Sequence, residues 1–189
     1  MNRREAVSLV SLILGGTLIG ADAFISGCSP AVQKKEGLFS SDDILLLDDV
    51  GDTIIPETPN SPGAKSTKIG EFMKKIVTDC YEEKDQKTFT DGITTLSSAC
   101  KKKYDKSFSA LSPADKQTFL ESLDKEAKDY EKTKKKTDRS HYFSMMKQLT
   151  VWGYFSSEAG ATKALRYVAV PGRYDGVIDY KKGDKAWAT

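Results

Sequence analysis

Apolar residues recur along this chain at helical spacing, three and four apart, and never alternate for long. After Ser41-Asp42-Asp43, a capping signal, Leu47, Val50 and Ile54 repeat on one face. Pro56, Pro59 and Pro62 end that helix, and TIIPETPNSPGA is expected to be a rigid, extended connection. Ser66 is the expected cap of a second helix, whose stripe is Ile69, Phe72, Met73, Ile76, Val77 and Cys80. A third, from about Asp85 to Tyr104, carries Phe89, Ile93, Leu96 and Cys100 on one side, with Gly92 a mild weakness. The fourth starts most sharply, with Ser112 as cap, Pro113 in the first helical position and Asp115 in the first turn. Its buried face reads Phe119, Leu120, Leu123, Ala127 and Tyr130. A fifth runs from about Ser140 to Ser156, with Tyr142, Met145, Met146, Leu149 and Trp152 pointing inward. The pattern predicts an all-α chain: a single helical domain over 42–167, of about five to six helices, followed by an extended tail over 168–189.

From Glu158 the character changes. Gly160, Gly172, Gly176 and Gly183 recur around Pro171, so a helix is expected to persist only to about Tyr167. Beyond it aromatic and arginine residues are spread without helical or strand period. Arg166, Tyr167, Pro171, Gly172, Arg173, Tyr174, Asp175, Tyr180 and Trp187 are the candidate partner-binding residues, because Tyr, Trp and Arg are the types that anchor interfaces. A tail wrapped on its own domain is the competing reading.

The first 28 residues, MNRREAVSLVSLILGGTLIGADAFISGC, have another logic: a basic start (Arg3, Arg4), an apolar run and a small-residue exit. The run from Ala6 to Ala21 is softened by Gly15, Gly16 and Gly20, and is short of the roughly 20 apolar residues a spanning helix needs. Residues 1–27 read as an export signal, with an uncleaved anchor as the rival. Ile25-Ser26-Gly27-Cys28 resembles a bacterial lipoprotein box, which makes Cys28 the candidate lipid attachment residue and 28–41 a tether. Arg3-Arg4 resembles the start of a twin-arginine signal but lacks the apolar pair that follows it, so the export route stays open. The expected location is the periplasmic side of a bacterial membrane.

Composition narrows the chemistry. The net charge is +2, and removal of 1–27 leaves it unchanged, which argues against nucleic acid as the main partner. About 160 residues then remain, enough for one core. Cys80 and Cys100 fall roughly 22 Å apart if the second and third helices pair antiparallel, too far for a disulfide, and read as two separate core cysteines. The one histidine, His141, reads as an end-of-helix residue and excludes His-based triads and multi-His metal centres. No phosphate loop, dinucleotide fingerprint or haem-attachment motif is present, so no catalytic, cofactor or metal residue is assigned. The chain reads as an accessory subunit rather than a free enzyme.

Several segments carry a family resemblance: Ile54-Ile55-Pro56, Pro62-Gly63-Ala64 and Asp79-Cys80-Tyr81 within 48–81, GYFSSEAGATKALRYVAVPGRYDG at 153–176, and KKGDKAWA at 181–188. Together they resemble subunit 3 of gluconate 2-dehydrogenase. The resemblance implies a non-catalytic small subunit that stabilises a flavoprotein large subunit of the glucose–methanol–choline type. FAD is then expected in that partner, with haem c in a third, cytochrome subunit. It also implies that the small subunit's signal can escort the folded partner. The lipid box at Cys28 departs from the family pattern and would attach the complex to the membrane by itself. A free-standing lipid-anchored envelope lipoprotein, acting as a binding or scaffold module, is the rival reading.

Overall fold

The computed structural model of the chain describes residues 37–174 and 176–188. Five α-helices account for most of them: α1 (Ser41–Ile54), α2 (Ile69–Cys80), α3 (Glu83–Tyr104), α4 (Pro113–Thr133) and α5 (Tyr142–Ser156). The all-α expectation holds. The expected signal (Arg3, Arg4), the lipid box at Cys28 and most of the tether lie outside the described residues.

Local chemistry sets the helix ends. At α1 the cap is Ser40, one residue before the expected Ser41. Its Oγ accepts from the Asp43 amide at 3.2 Å, and the Asp43 carboxylate accepts from the Ser40 amide at 2.8 Å. Asp43 needs a partner three residues back, and Ser40 is that residue. At α4 the expected signature forms as read, Ser112 Oγ accepting from the Asp115 amide at 3.2 Å. His141 caps α5, its Nδ1 accepting from the Phe143 amide at 3.2 Å.

The entry to α2 corrects the sequence reading. Ser66 does not cap it. Its hydroxyl donates to the Gly63 carbonyl at 2.7 Å inside a 3-10 turn, Ala64–Thr67, and Lys68 then turns through the left-handed region at φ 53°. The free first-turn amide of Gly70 is satisfied across the helix pair by Asp48 Oδ1 of α1, at 2.8 Å. Only glycine permits this approach, since a Cβ on residue 70 would lie 2.4 Å from the Ile44 carbonyl oxygen. The proline-rich connection is not simply extended either. Thr58 and Ser61 exchange both backbone hydrogen bonds, at 2.9 and 3.2 Å, and close a tight turn.

α5 is the central helix and packs on each of the other four. Met146 and Leu149 sit at the middle of the core with Val50, Met73, Phe89 and Leu96. Three residues expected inward are not: Trp152, Tyr130 and Cys80. Trp152 is 53% exposed, because the stripe continues from Leu149 to Gly153, four residues on, and leaves Trp152 outside it. Tyr130 is half-exposed and donates its hydroxyl to the Arg139 carbonyl at 3.1 Å. The cysteines are separate and free as expected, but only Cys100 is in the core. Cys80, the last residue of α2, is exposed, and Tyr81 after it takes the partly buried position.

The helical path ends slightly before the expected Tyr167. A π-helical turn, Gly160–Ala164, follows α5, and the Leu165 amide closes it on the Gly160 carbonyl at 3.0 Å. Arg166–Tyr167 (β1) then pairs in parallel with Trp187–Ala188 (β2), so the tail returns to its own root.

Candidate docking surface

The ladder between β1 and β2 is two residues long, with Arg166 opposite Trp187 and Tyr167 opposite Ala188. The Arg166 amide donates to the Ala186 carbonyl at 2.8 Å, and the Val168 amide to the Ala188 carbonyl at 2.9 Å. The Arg166 guanidinium lies over the Trp187 indole at 4.6 Å, a cation–π contact that staples the pair. The Lys185 ammonium donates to the Lys163 carbonyl, tying the far strand to the π turn. Within the returning segment Gly183, at φ 98°, allows a turn in which Asp184 accepts from the Lys181 amide at 3.0 Å.

What the ladder closes is a loop of side chains in water. Val170 is 80% exposed, Tyr174 93% and Val177 95%, with Ile178 and Tyr180 also outside. Of the predicted partner-binding residues, Arg166, Tyr167 and Trp187 come together at the base of the loop. Pro171, Gly172, Arg173, Tyr174 and Tyr180 are exposed along it, and Asp175 lies outside the described residues. Every described residue from 169 to 187 is exposed.

A second surface escaped the sequence reading. Val151, Trp152 and Phe155 stand exposed on α5, at the spacings (three and four apart) that make side chains neighbours on a helix. The Trp152 ring meets Phe72 of α2 edge-on, with centroids 5.5 Å apart, and the Phe155 ring meets Tyr154 at 5.1 Å. Tyr154 is 1% exposed, and its hydroxyl bonds both Ser61 Oγ and the Pro62 carbonyl, each at 2.6 Å. The ridge therefore borders the proline-rich loop. A signal was available: α5 carries apolar residues on every side, which in a water-exposed helix marks a face awaiting a partner.

Two partly buried carboxylates, Asp49 and Asp124, have lysine partners. Asp49, 13% exposed, is bonded by Lys65 at 2.7 Å and faces Lys116 at 3.7 Å. Burial pushes its carboxyl up. Hydrogen bonds from Lys65 and Ser109 and the nearby lysine charges outweigh that and hold it below the usual range. Asp124 is bonded by Lys128 and Lys147, each at 2.6 Å, and these hold its carboxyl down. It edges a groove of about 360 Å³ floored by Ile54, Leu120 and Phe143. Burial, aided by the charge of Glu126, pushes the Tyr142 hydroxyl up to about 12. Paired, depressed carboxylates make poor proton-transfer groups near neutral pH.

A family model described as gluconate 2-dehydrogenase subunit 3 matches residues 41–172, which takes in all five helices and the first part of the tail. The KKGDKAWA segment at 181–188 lies beyond that match. No curated protein and no solved structure matches the chain.

Proposed function

Because the chain belongs to the gluconate 2-dehydrogenase subunit 3 family, we propose that it is the accessory small subunit of a flavin-dependent sugar or sugar-acid dehydrogenase complex. It holds the flavoprotein large subunit through the loop that the C-terminal tail forms. The observation that supports this most is the exposure of Tyr174, Val177, Tyr180 and Val170 on a loop whose base is closed. Such residues gain by leaving water, and closure lowers the ordering cost when they do. FAD belongs to the partner in this reading, and a c-type cytochrome completes the electron path. Residues 1–27 export the chain, Cys28 carries the lipid, and Arg3-Arg4 let the folded partner cross with it. The complex then sits on the periplasmic side of a bacterial membrane.

The test is co-expression of the full chain with the flavoprotein subunit encoded beside it, followed by affinity capture. The full chain should retain the flavoprotein, and a chain lacking 168–189 should lose it while keeping its helical circular dichroism. Equal retention by both removes the tail from the interface. No retention by the full chain sinks the accessory-subunit reading. Replacing Arg3 and Arg4 by Lys should leave the flavoprotein in the cytoplasm. If the flavoprotein is still exported, the escort role falls. Cys28→Ala should release the complex from the membrane fraction.

A further inference from the structure

Resting on that accessory-subunit reading, we infer that the outer ridge of α5, Val151, Trp152 and Phe155 with Phe72 beside it, is a second docking face for the same large subunit, seated on an uncharged apolar patch of its surface. Three observations and one rule of interface composition lead there. α5 already buries side chains against four helices, yet keeps three large apolar ones outside. Residues 148–157, QLTVWGYFSS, contain no charged residue, whereas the exposed faces of α3 and α4 are crowded with lysine and carboxylate. Interface cores are depleted of charge and enriched in aromatics, and the ridge has that composition. Finally, the ridge is rigid. Trp152 is braced by Phe72, and Phe155 by Tyr154, which is itself pinned to Ser61 and Pro62.

Area excludes the ridge alone as the seat of a second copy. The exposed part of the three ridge side chains is on the order of 300 Å². A stable self-complementary dimer needs about 800 Å² from each partner, so the ridge alone does not hold a second copy. The tail loop adds several further exposed aromatic and aliphatic residues, and ridge and loop together approach that size. The partner already assigned to the loop is therefore the occupant inferred for the ridge, since α5 ends at Ser156 and β1, at the base of the loop, begins at Arg166.

The experiment places a photo-crosslinking benzoylphenylalanine at Val151 or, separately, at Val177, in the full chain co-expressed with the flavoprotein subunit. Crosslinks to the flavoprotein from both positions are expected. A crosslink from 177 alone overturns the ridge while leaving the accessory-subunit reading intact. Crosslinks from neither overturn the ridge and, if the full chain also fails to retain the flavoprotein, sink both. A crosslink from 151 to a second copy of this chain, or capture of the chain by phosphatidylglycerol vesicles that Trp152→Ser abolishes, assigns the ridge to another occupant and overturns the inference. In parallel, Trp152→Ser/Phe155→Ser should weaken binding by about tenfold or more, as loss of buried aromatic anchors does. Unchanged affinity, in a variant with wild-type circular dichroism, refutes it.

Discussion

Gly92→Ala sets two known effects against each other, and the structure decides the sign. Alanine is the better helix former by about 1 kcal/mol in a helix interior, and residue 92 lies in the middle of α3. By propensity alone the substitution stabilises. A Cβ at residue 92, however, would lie 2.3 Å from Tyr142 Cβ and 2.5 Å from its Cγ. Carbon atoms settle at about 3.5–4.0 Å, so the gap must open by more than 1 Å. The atoms met are the root of the tyrosine, fixed to the first residue of α5, and not the far end of a flexible side chain. Tyr142 is itself buried and packed on the His141 ring at 4.4 Å, which leaves it little room. Overpacking of this kind costs about 1–3 kcal/mol, and the short distance puts this site toward the upper end. Net destabilisation of about 1–2 kcal/mol is expected, a fall in Tm of about 3–8 °C for a domain of this size. Scanning calorimetry of residues 37–189 measures it, with Gly172→Ala as control, since nothing lies within 4 Å of a Cβ there. In a Tyr142→Gly background the Cβ and ring that residue 92 would meet are both gone, and the penalty of Gly92→Ala should largely disappear. A Tm raised by Gly92→Ala in the wild-type background would refute the packing argument.

Other consequences are as direct. Tyr154→Phe removes a hydroxyl that serves both Ser61 and Pro62 at 2.6 Å, and should cost about 1–3 kcal/mol in urea unfolding, with Ser61→Ala adding less than its own cost in the double variant. A Tyr154→Phe midpoint within error of wild type would show that the loop is not held this way. Asp49 has its folded pKa depressed, so its contribution is present above the unfolded value of about 4 and is lost as pH falls through the lower, folded value. The urea midpoint should therefore drop below about pH 4, and Asp49→Asn should flatten that acid limb; parallel limbs would contradict it. With Cys28 replaced by Ser, a thiol reagent should modify Cys80 at once and reach Cys100 only on unfolding, because burial hides that thiol and pushes its pKa up. Two thiols reacting together in the native state would place Cys100 wrongly.

The helices were legible because each buries one stripe, and a stripe of period 3.6 is written in consecutive sequence. Ser112-Pro113 gave α4 its start for the same reason: the cap and its target lie three residues apart. What escaped depends on partners distant in sequence. Nothing near Ser66 says that Asp48, on another helix, satisfies the Gly70 amide, so the nearer serine looked like the cap. Gly92 read as a defect in α3, and only the approach of Tyr142 turns it into a requirement. The Trp152 error was one of phase. Leu149 can be continued by residue 152 or 153, and a large aromatic is the more attractive choice on pattern alone. The glycine won because Phe72 and Ile69 occupy the space a side chain would need. The aromatic residues of the tail were readable, but not the ladder that joins residues 166 and 187.

That ladder bears on why the tail is built as it is. Two parallel residue pairs are too few to be stable alone, and the Arg166–Trp187 stack and the Lys185 bond lie at the surface, where such contacts contribute little. The closure adds nothing to the helical core, which is complete without it. Its effect is on the segment between. A free chain of this length would sample many conformations, and ordering it on a partner would cost on the order of 1–2 kcal/mol per residue. Tethering both ends removes part of that cost before the partner arrives, while leaving Tyr174 and Val177 in water, where their burial is still to be gained. The braced ridge on α5 follows the same economy with a rigid surface in place of a closed loop. Both spend little on the stability of the free subunit and hold apolar area in reserve, as the accessory-subunit role proposed above would require.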